Sequence, residues 1–427
     1  MTAREPSVPQ LPAADLPATM PELPVPTWRD FRADFSLSAV VAGLVAVIVS
    51  YSSSIGLFVS AFSASHYSAA QSVSAVTGLY LGMAVIGAAL SWRYRAPVII
   101  GWITPGLAVI AQDGGRFSVP ETVGALLASG AILTLIGYSG LYERLTRRIP
   151  GPIASALLAG VLLPFTLRGA AAAAVAPLIV GPMVLAYALL RATWPRYAVL
   201  GVLLVGVAAA GLGGGGLGGG LHALPVGTQV WGSLNAVRPA FNPLAWLSLT
   251  LPITVLGLAS QNLPGIAILR LSGYERTPTS PLVGGTGLLS LPLAIFGSIG
   301  LGLAAITAAI CTGPEAHPDV RRRWVAGVMC AFFYAVLGVI AGAVIGSAGA
   351  LPLPMIQALA GLALLGTIQN AVVVGFAEER WRESAALTLV VTASGLSLWG
   401  LSSPLWGLIV GGLSALLMRR RSSWKVS

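Results

Sequence analysis

The residues of this 427-residue chain best suited to chemistry are polar but mostly uncharged. Thr104-Pro105-Gly106 follows the β-branched run at 98–100, which itself stands behind Pro97. Such a run after a proline favours an extended stretch. Threonine as N-cap with proline at the first helical position then marks a helix start. In the second half, Leu291-Pro292 leads to Phe296-Gly297-Ser298 and Gly300, with Ser298 as the capping candidate. Each pattern predicts a half-helix that begins inside the protein. Helix N-termini carry unpaired N–H groups and about half a positive charge. Two of them facing each other form an anion site without Lys or Arg. The competing reading is that proline and glycine simply kink two ordinary helices. Ser260-Gln261-Asn262-Leu263-Pro264 and Ser50-Tyr51-Ser52-Ser53-Ser54 add amides and hydroxyls within apolar stretches. Buried amides such as Gln261 and Asn262 require partners inside the protein. The serine run reads equally well as packing residues bonded to their own helix.

Composition decides what must hold these groups. The chain is 56% hydrophobic and 9% charged, with mean hydropathy +0.85. Soluble domains carry about 25% charged residues. An ordinary soluble enzyme, a disordered regulator and a nucleic-acid binder are therefore excluded, leaving an all-α polytopic membrane protein. At about 20 apolar residues per crossing, and allowing short or broken spans, fourteen segments emerge. They lie near 36–60, 69–91, 97–112, 122–142, 152–167, 172–190, 197–220, 243–269, 281–292, 296–312, 324–346, 354–377, 384–399 and 404–418.

The first 26 residues hold seven prolines and no apolar core, which reads as a cytoplasmic tail and not a signal peptide. With that tail inside, all 24 lysines and arginines except Arg116, Arg168 and Arg238 fall on the cytoplasmic side. The formal charge of +10 is thus mainly a topology marker, and both termini are expected to be cytoplasmic. The expected organisation is a disordered tail (1–34), a first repeat (35–220), an external connecting loop (221–242), a second repeat (243–418) and a basic tail (419–427). Seven crossings per half give the halves opposite orientations, as an inverted repeat requires. Both backbone breaks fall at the third span of their half, spans three and ten. The Gly-rich stretch Gly211–Gly220 reads as the junction or as a loose helix end.

No Asp, Glu, Lys or Arg lies in the interior of any expected span, which argues against a carboxylate proton relay. His66, His222 and His317 fall in loops or at span edges. Glu315, His317 and Asp319 read as a solvated loop, and Cys311 and Cys330 have no metal or disulfide spacing. Nothing matches a nucleotide loop, a nucleophile elbow or a metalloprotease motif. The chain is expected to be no enzyme and to need no cofactor or metal.

Several strings then become recognisable: Val45–Ser54, Leu90–Pro97, Thr104-Pro105-Gly106, Ala259–Arg270 with Ser272-Gly273-Tyr274, and Leu303–Pro318. Together they resemble the bacterial benzoate–proton symporter family of the BenE type, over roughly residues 35–420. The resemblance implies a bacterial inner-membrane carrier related to nucleobase–cation symporters. Their fold has fourteen spans in two inverted seven-span repeats. Spans one to four and eight to eleven form a core that moves like an elevator against a gate of spans five to seven and twelve to fourteen. The implied site is Tyr51, Ser52, Ser53, Thr104, Pro105, Gly106, Gln261, Asn262, Gly297, Ser298 and Gly300, with Trp102 and Phe296 as apolar walls for a ring. One departure stands out: Ile299 and Gly302 occupy positions where the family carries His and Asn. The expected function is proton-coupled uptake of benzoate or a related aromatic carboxylate, the proton travelling with the substrate. A nucleobase or other heterocycle carrier, and an anion channel or uniporter, are the alternatives. The expected partners are a small organic anion, protons and the lipid bilayer, with no nucleic acid; the sequence leaves a homodimer open.

Overall fold

A computed structural model describes residues 25–142, 144, 150–194, 197–212, 229–349, 351–396, 398 and 403–423. In lipid, backbone polar groups must be satisfied within the protein, so an apolar chain of this kind folds into helices. The elements are α1 (Trp28–Asp34), α2 (Leu37–Ala64), α3 (Ala69–Tyr94), β1 (Ile100–Trp102), α4 (Thr104–Asp113) and α5 (Val119–Tyr138). Next come α6 (Gly151–Val175), α7 (Pro177–Thr193), α8 (Ala198–Leu212) and α9 (Pro243–Arg270). The second half continues with α10 (Thr279–Ile295), β2 (Leu301–Leu303), α11 (Ile306–Thr312) and α12 (Trp324–Val339). It closes with α13 (Ala341–Gly349), α14 (Leu353–Phe376), α15 (Arg382–Ala393) and α16 (Ser403–Ser423). The protein is thus a mostly helical, polytopic membrane protein. Among the described residues six helices are long and apolar enough to cross a membrane, or seven if the bent pair α1–α2 counts as one. The shorter apolar helices α7, α8, α10 and α16, the two strand–helix units and α15 fall on the other expected segments.

Helix packing follows a regular scheme. α3 lies along α12 and α5 along α10; α7 lies along α8 and α15 along α16. α6 lies along α14, and β1 pairs with β2. Exchanging each first-half segment for its second-half counterpart maps these pairs onto one another.

Two expected loops are more ordered than composition suggests. Within the expected tail, Thr27 and Asp30 form a capping box that starts α1. Thr27 hydrogen bonds, and then Arg95 at 3.0 Å, hold the Asp30 carboxyl below its usual range. Trp28 and Phe31 stack on Trp92, whose indole donates to the Pro26 carbonyl, while Trp324 donates to Asp34 at 2.9 Å. Aromatic area, not charge alone, thus folds residues 28–34 onto the ends of α3 and α12. The connecting loop, where described, is an extended strap. Gly232 donates to Val339, Val237 to Ile295 and Ala240 to Pro120, and Asn235 donates to the Ser74 hydroxyl. The strap reaches α9 through Asn242, which caps that helix and donates to Glu121 at 2.7 Å. The glycine-rich junction lies mostly outside the described residues.

The broken-helix reading of spans three and ten holds over simple kinks, because both contain a strand. β1 and β2 pair antiparallel, with Ile100 opposite Leu303, Gly101 opposite Gly302 and Trp102 opposite Leu301. Ile103 donates to Gly300 and Ala304 to Ile99, so the ladder extends one step beyond each strand end. α4 and α11 therefore follow this ribbon from its opposite ends. A Cβ on Gly265 of α9 would collide with Leu303 of β2. Gly265→Leu is therefore expected to destabilise the protein by about 1–3 kcal/mol through overpacking, read as a lowered melting temperature in detergent.

Candidate functional site

The ribbon has two unlike faces because successive residues of a strand point to opposite sides. Trp102, Ile100, Leu301 and Leu303 lie on one face and are buried. The other face is nearly bare, carrying Gly101, Gly302 and Gly300. A Cβ on Gly302 would stand 2.9 Å from Gln261 Cγ and 3.3 Å from Asn262 Oδ1, and one on Gly101 3.5 Å from Gln261 Nε2. Glycine at both positions lets the ribbon backbone approach these amides. In place of the expected Asn, Gly302 is thus part of the fit.

Gln261 and Asn262 sit in a π-helical turn, Gly257–Asn262, of α9. Such a bulge adds a residue to the turn and re-aims side chains, often at functional sites. Asn262 is fully buried, and its Oδ1 accepts from the Leu303 N–H of β2 at 3.0 Å. Ser290 accepts from the Leu301 N–H at 2.8 Å. These two side chains satisfy the outer edge of β2. Asn262 Nδ2 has no hydrogen-bond partner, and the same holds for the buried Thr307 hydroxyl in the first turn of α11. Thr307 escaped the sequence reading; only its place in a short helix after a strand marks it. Gln261, Ser260, Thr104 and Ala304 keep partial exposure while Asn262, Ile103 and Leu303 beside them are buried.

Several expected roles change. Thr104 is the first helical residue of α4, with Ile103 as N-cap, and it makes no capping bond; Pro105 follows at the second position. Gly106 and Leu107 donate back to the Ile103 carbonyl, and proline has no N–H. The α4 terminus therefore offers its dipole and Thr104 more than a fan of free N–H groups. Gly106 is packed tightly, a Cβ there standing 3.1 Å from Ile299 Cδ1. Ser298 does not cap α11, which starts at Ile306 behind Ala305. Instead its hydroxyl donates to the Ala75 carbonyl of α3 at 2.7 Å. Gly297, at φ +80°, makes the turn out of α10, and its carbonyl accepts from Tyr67. The Phe296 carbonyl accepts from Ser74. Phe296, Gly297 and Ser298 thus fasten the turn before β2 to α3. Trp102 is not a wall beside Gln261: it lies on the opposite ribbon face, against Phe58 and Tyr80 at ring distances of 5.1 and 6.1 Å. Tyr51 bonds Ser347 of α13 at 3.3 Å and packs between two apolar clusters. The side chains of Ser52 and Ser53 lie outside the described residues. What the fold brings together is Gln261, Asn262, the glycine face and, at one ribbon end, Thr104 and Gly300.

A family model described as benzoate membrane transport protein, BenE, matches residues 33–417. The chain belongs to the BenE benzoate membrane transport family. Among its relatives is the benzoate membrane transport protein of Acinetobacter baylyi, 36% identical over 390 residues, covering 91% of this chain and 97% of that one. The inner membrane protein YdcO of Escherichia coli is 38% identical over 374 residues, covering 88% and 94%. The family and the Acinetobacter baylyi relative are described as transport proteins, not enzymes. The fold is shared with the transmembrane domain of a cyanobacterial bicarbonate transporter, BicA (TM-score 0.59, 15% identity, 92% of this chain and 97% of that one). It is shared also with the murine anion transporter Slc26a9 (TM-score 0.58, 10% identity, 91% and 69%). The BenE chain described here is accordingly a membrane transporter.

Asn262→Leu would leave the buried Leu303 N–H unpaired. An expected loss of about 1–3 kcal/mol in stability is to be read by thermal melting, with benzoate affinity measured by calorimetry falling in the same variant. Unchanged affinity in a folded variant would remove Asn262 from the site.

Proposed function

We propose that the protein is a secondary active transporter that takes up benzoate, or a related aromatic carboxylate, together with protons across the bacterial inner membrane. The observation that carries this reading is the buried Asn262 amide, whose NH₂ is unpartnered beside a bare glycine ribbon. In a low-dielectric interior such a donor gains most from a carboxylate. The carboxylate sits between Thr104 at the positive end of α4 and the Gln261 and Asn262 amides, with the Thr307 hydroxyl as a further donor. The glycine face itself is covered by Gln261 and Asn262, so the aromatic ring lies on the partly exposed side of the site, beside Ser260, Gln261, Thr104 and Ala304. Neutral donors suit a monoanion that arrives with a proton, since the pair crosses without net charge.

In this reading the chain crosses fourteen times with both termini in the cytoplasm, and its halves are inverted repeats. The exchange of packing partners between halves and the strand–helix unit at the third span of each support it. α2–α5 and α9–α12 form the moving core, and α6–α8 with α14–α16 the gate. The membrane charge pattern, with most arginines at one end, supports the orientation.

The test is uptake of labelled benzoate into proteoliposomes under an inward proton gradient, measured above protein-free vesicles because benzoic acid itself permeates. Accumulation that follows the gradient, competed by aromatic acids and not by uracil, is expected. No gradient-dependent accumulation, or stronger competition by uracil, would overturn the reading; currents far above carrier turnover would favour a channel.

A further inference from the structure

A buried carboxylate stands at the end of α4, one residue past the segment expected to cross. Asp113 is 7% exposed, and its Oδ2 has no hydrogen-bond partner. Its Oδ1 lies 3.6 Å from Arg116 Nη1. Two more buried oxygens at this end also lack a partner, Gln112 Oε1 and Ser65 Oγ. A Cβ on Gly114 would strike the Ser65 hydroxyl, which places Ser65 beside the residue that follows Asp113. Gln112 Nε2 donates to the Val161 carbonyl of α6 at 2.9 Å, close to Pro164 inside that helix. The cluster therefore joins α4 to α6, which the proposed function assigns to the moving core and the gate.

Electrostatics at this spot oppose a fixed charge. Burial and the negative end of α4 both disfavour an ionised carboxyl, and Arg116 alone favours one. Of the elements packed against α4, α2 and the 246–262 part of α9 carry no charged residue, and α6 carries only Arg168. The Arg168 guanidinium lies over the Phe165 ring, and the exposed His66 follows α2 near Gly115. The sister half-helix shows the opposite arrangement. α11 ends on the buried Arg323, which donates to Thr312, His317 and Pro318 carbonyls at 2.6, 2.6 and 3.1 Å. One half-helix thus ends on a matching cation and the other on a carboxylate with a free oxygen.

We propose that Asp113 is the group that carries the coupled proton; the inference rests on the proton-coupled reading above. A proton from water adds to Oδ2 and forms an O–H bond, which removes the charge at the end of α4, one residue from the Gln112 link to α6. Loss of the same proton to water restores the carboxylate, and no other bond changes. Movement of α4 past α6 is then easiest in the protonated state, so transport waits on the proton.

The experiment compares wild type, Asp113→Asn and Asp113→Glu in proteoliposomes with labelled benzoate. One pH unit across the membrane supports about tenfold accumulation per coupled proton. Wild type and D113E should accumulate benzoate with the gradient. D113N should show no gradient-driven uptake above protein-free vesicles, while keeping benzoate binding and exchange at equal pH. Gradient-driven accumulation by D113N overturns the role of Asp113 and leaves the proposed function standing. No accumulation by wild type overturns the proposed function itself. Should D113N fail to fold, wild type answers through a hydrophobic carbodiimide, which reacts with protonated buried carboxyls. Labelling of Asp113 that falls as pH rises supports the proposal, and no labelling at any pH overturns it.

Discussion

The architecture depends on one constraint: strand backbone inside an apolar bundle must have every polar group met by protein. The β1–β2 ribbon meets it partly with itself and partly with side chains sent from neighbouring helices. Ser290 and Asn262 cover the outer N–H groups of β2, and Ser91 both donates to and accepts from Val98 before β1. An unpaired N–H at this depth costs a full desolvation penalty. The π-helical turn that aims Asn262, the small residues where α9 passes the ribbon and the antiparallel register all serve this requirement. The candidate site is what remains once the edge is covered. Asn262 spends its oxygen on the strand and keeps its NH₂.

This origin explains why the site is built from neutral groups. Formal charges are kept at the bundle ends, where Arg323 matches the C-terminus of α11 and Asp30, Asp34, Arg95 and Arg322 hold α1 in place. Between those ends the described helices offer amides, hydroxyls and one half-helix dipole of ten residues, α4. α11 has only seven residues, so its dipole is weaker and its contribution rests more on Thr307. Ile299 is 3% exposed and packs against the first turn of α4. The terminus is thereby sealed on that side by an apolar side chain.

The strap at 229–242 and the α1 latch act on the same set of helices from opposite ends. The strap bonds α3, α5, α10 and α12, and α1 docks on the ends of α3 and α12. None of these bonds involves α6, α7, α8, α14, α15 or α16. Backbone bonds made by an extended segment resist shear between the helices it crosses, so the strap ties these helices together. Contact between the two groups falls instead to small residues and to polar links such as Gln112 to Val161.

The sequence by itself determined the class of protein, its long apolar segments and the two backbone breaks. Those features rest on local rules: apolar length for a membrane segment, proline and β-branched residues for an extended stretch, proline for a helix start. The strings around Gln261 and Asn262 also made the family legible. Tertiary structure decided what faces what. Strand alternation and register placed Trp102 on the far side of the ribbon and paired Gly101 with Gly302, and neither follows from spacing along one segment. Ser298 looked like a cap because it follows glycine in an apolar run, yet its hydroxyl found the Ala75 carbonyl, more than two hundred residues away in sequence. The residues at 28–34 read as tail because composition ignores the aromatic surface they meet on α3 and α12. Asp113 stands one residue past an expected span, and only the tertiary structure shows its carboxyl buried with Oδ2 unpartnered. Local propensity fixes elements, whereas burial and partnership are properties of pairs of elements brought together by the fold.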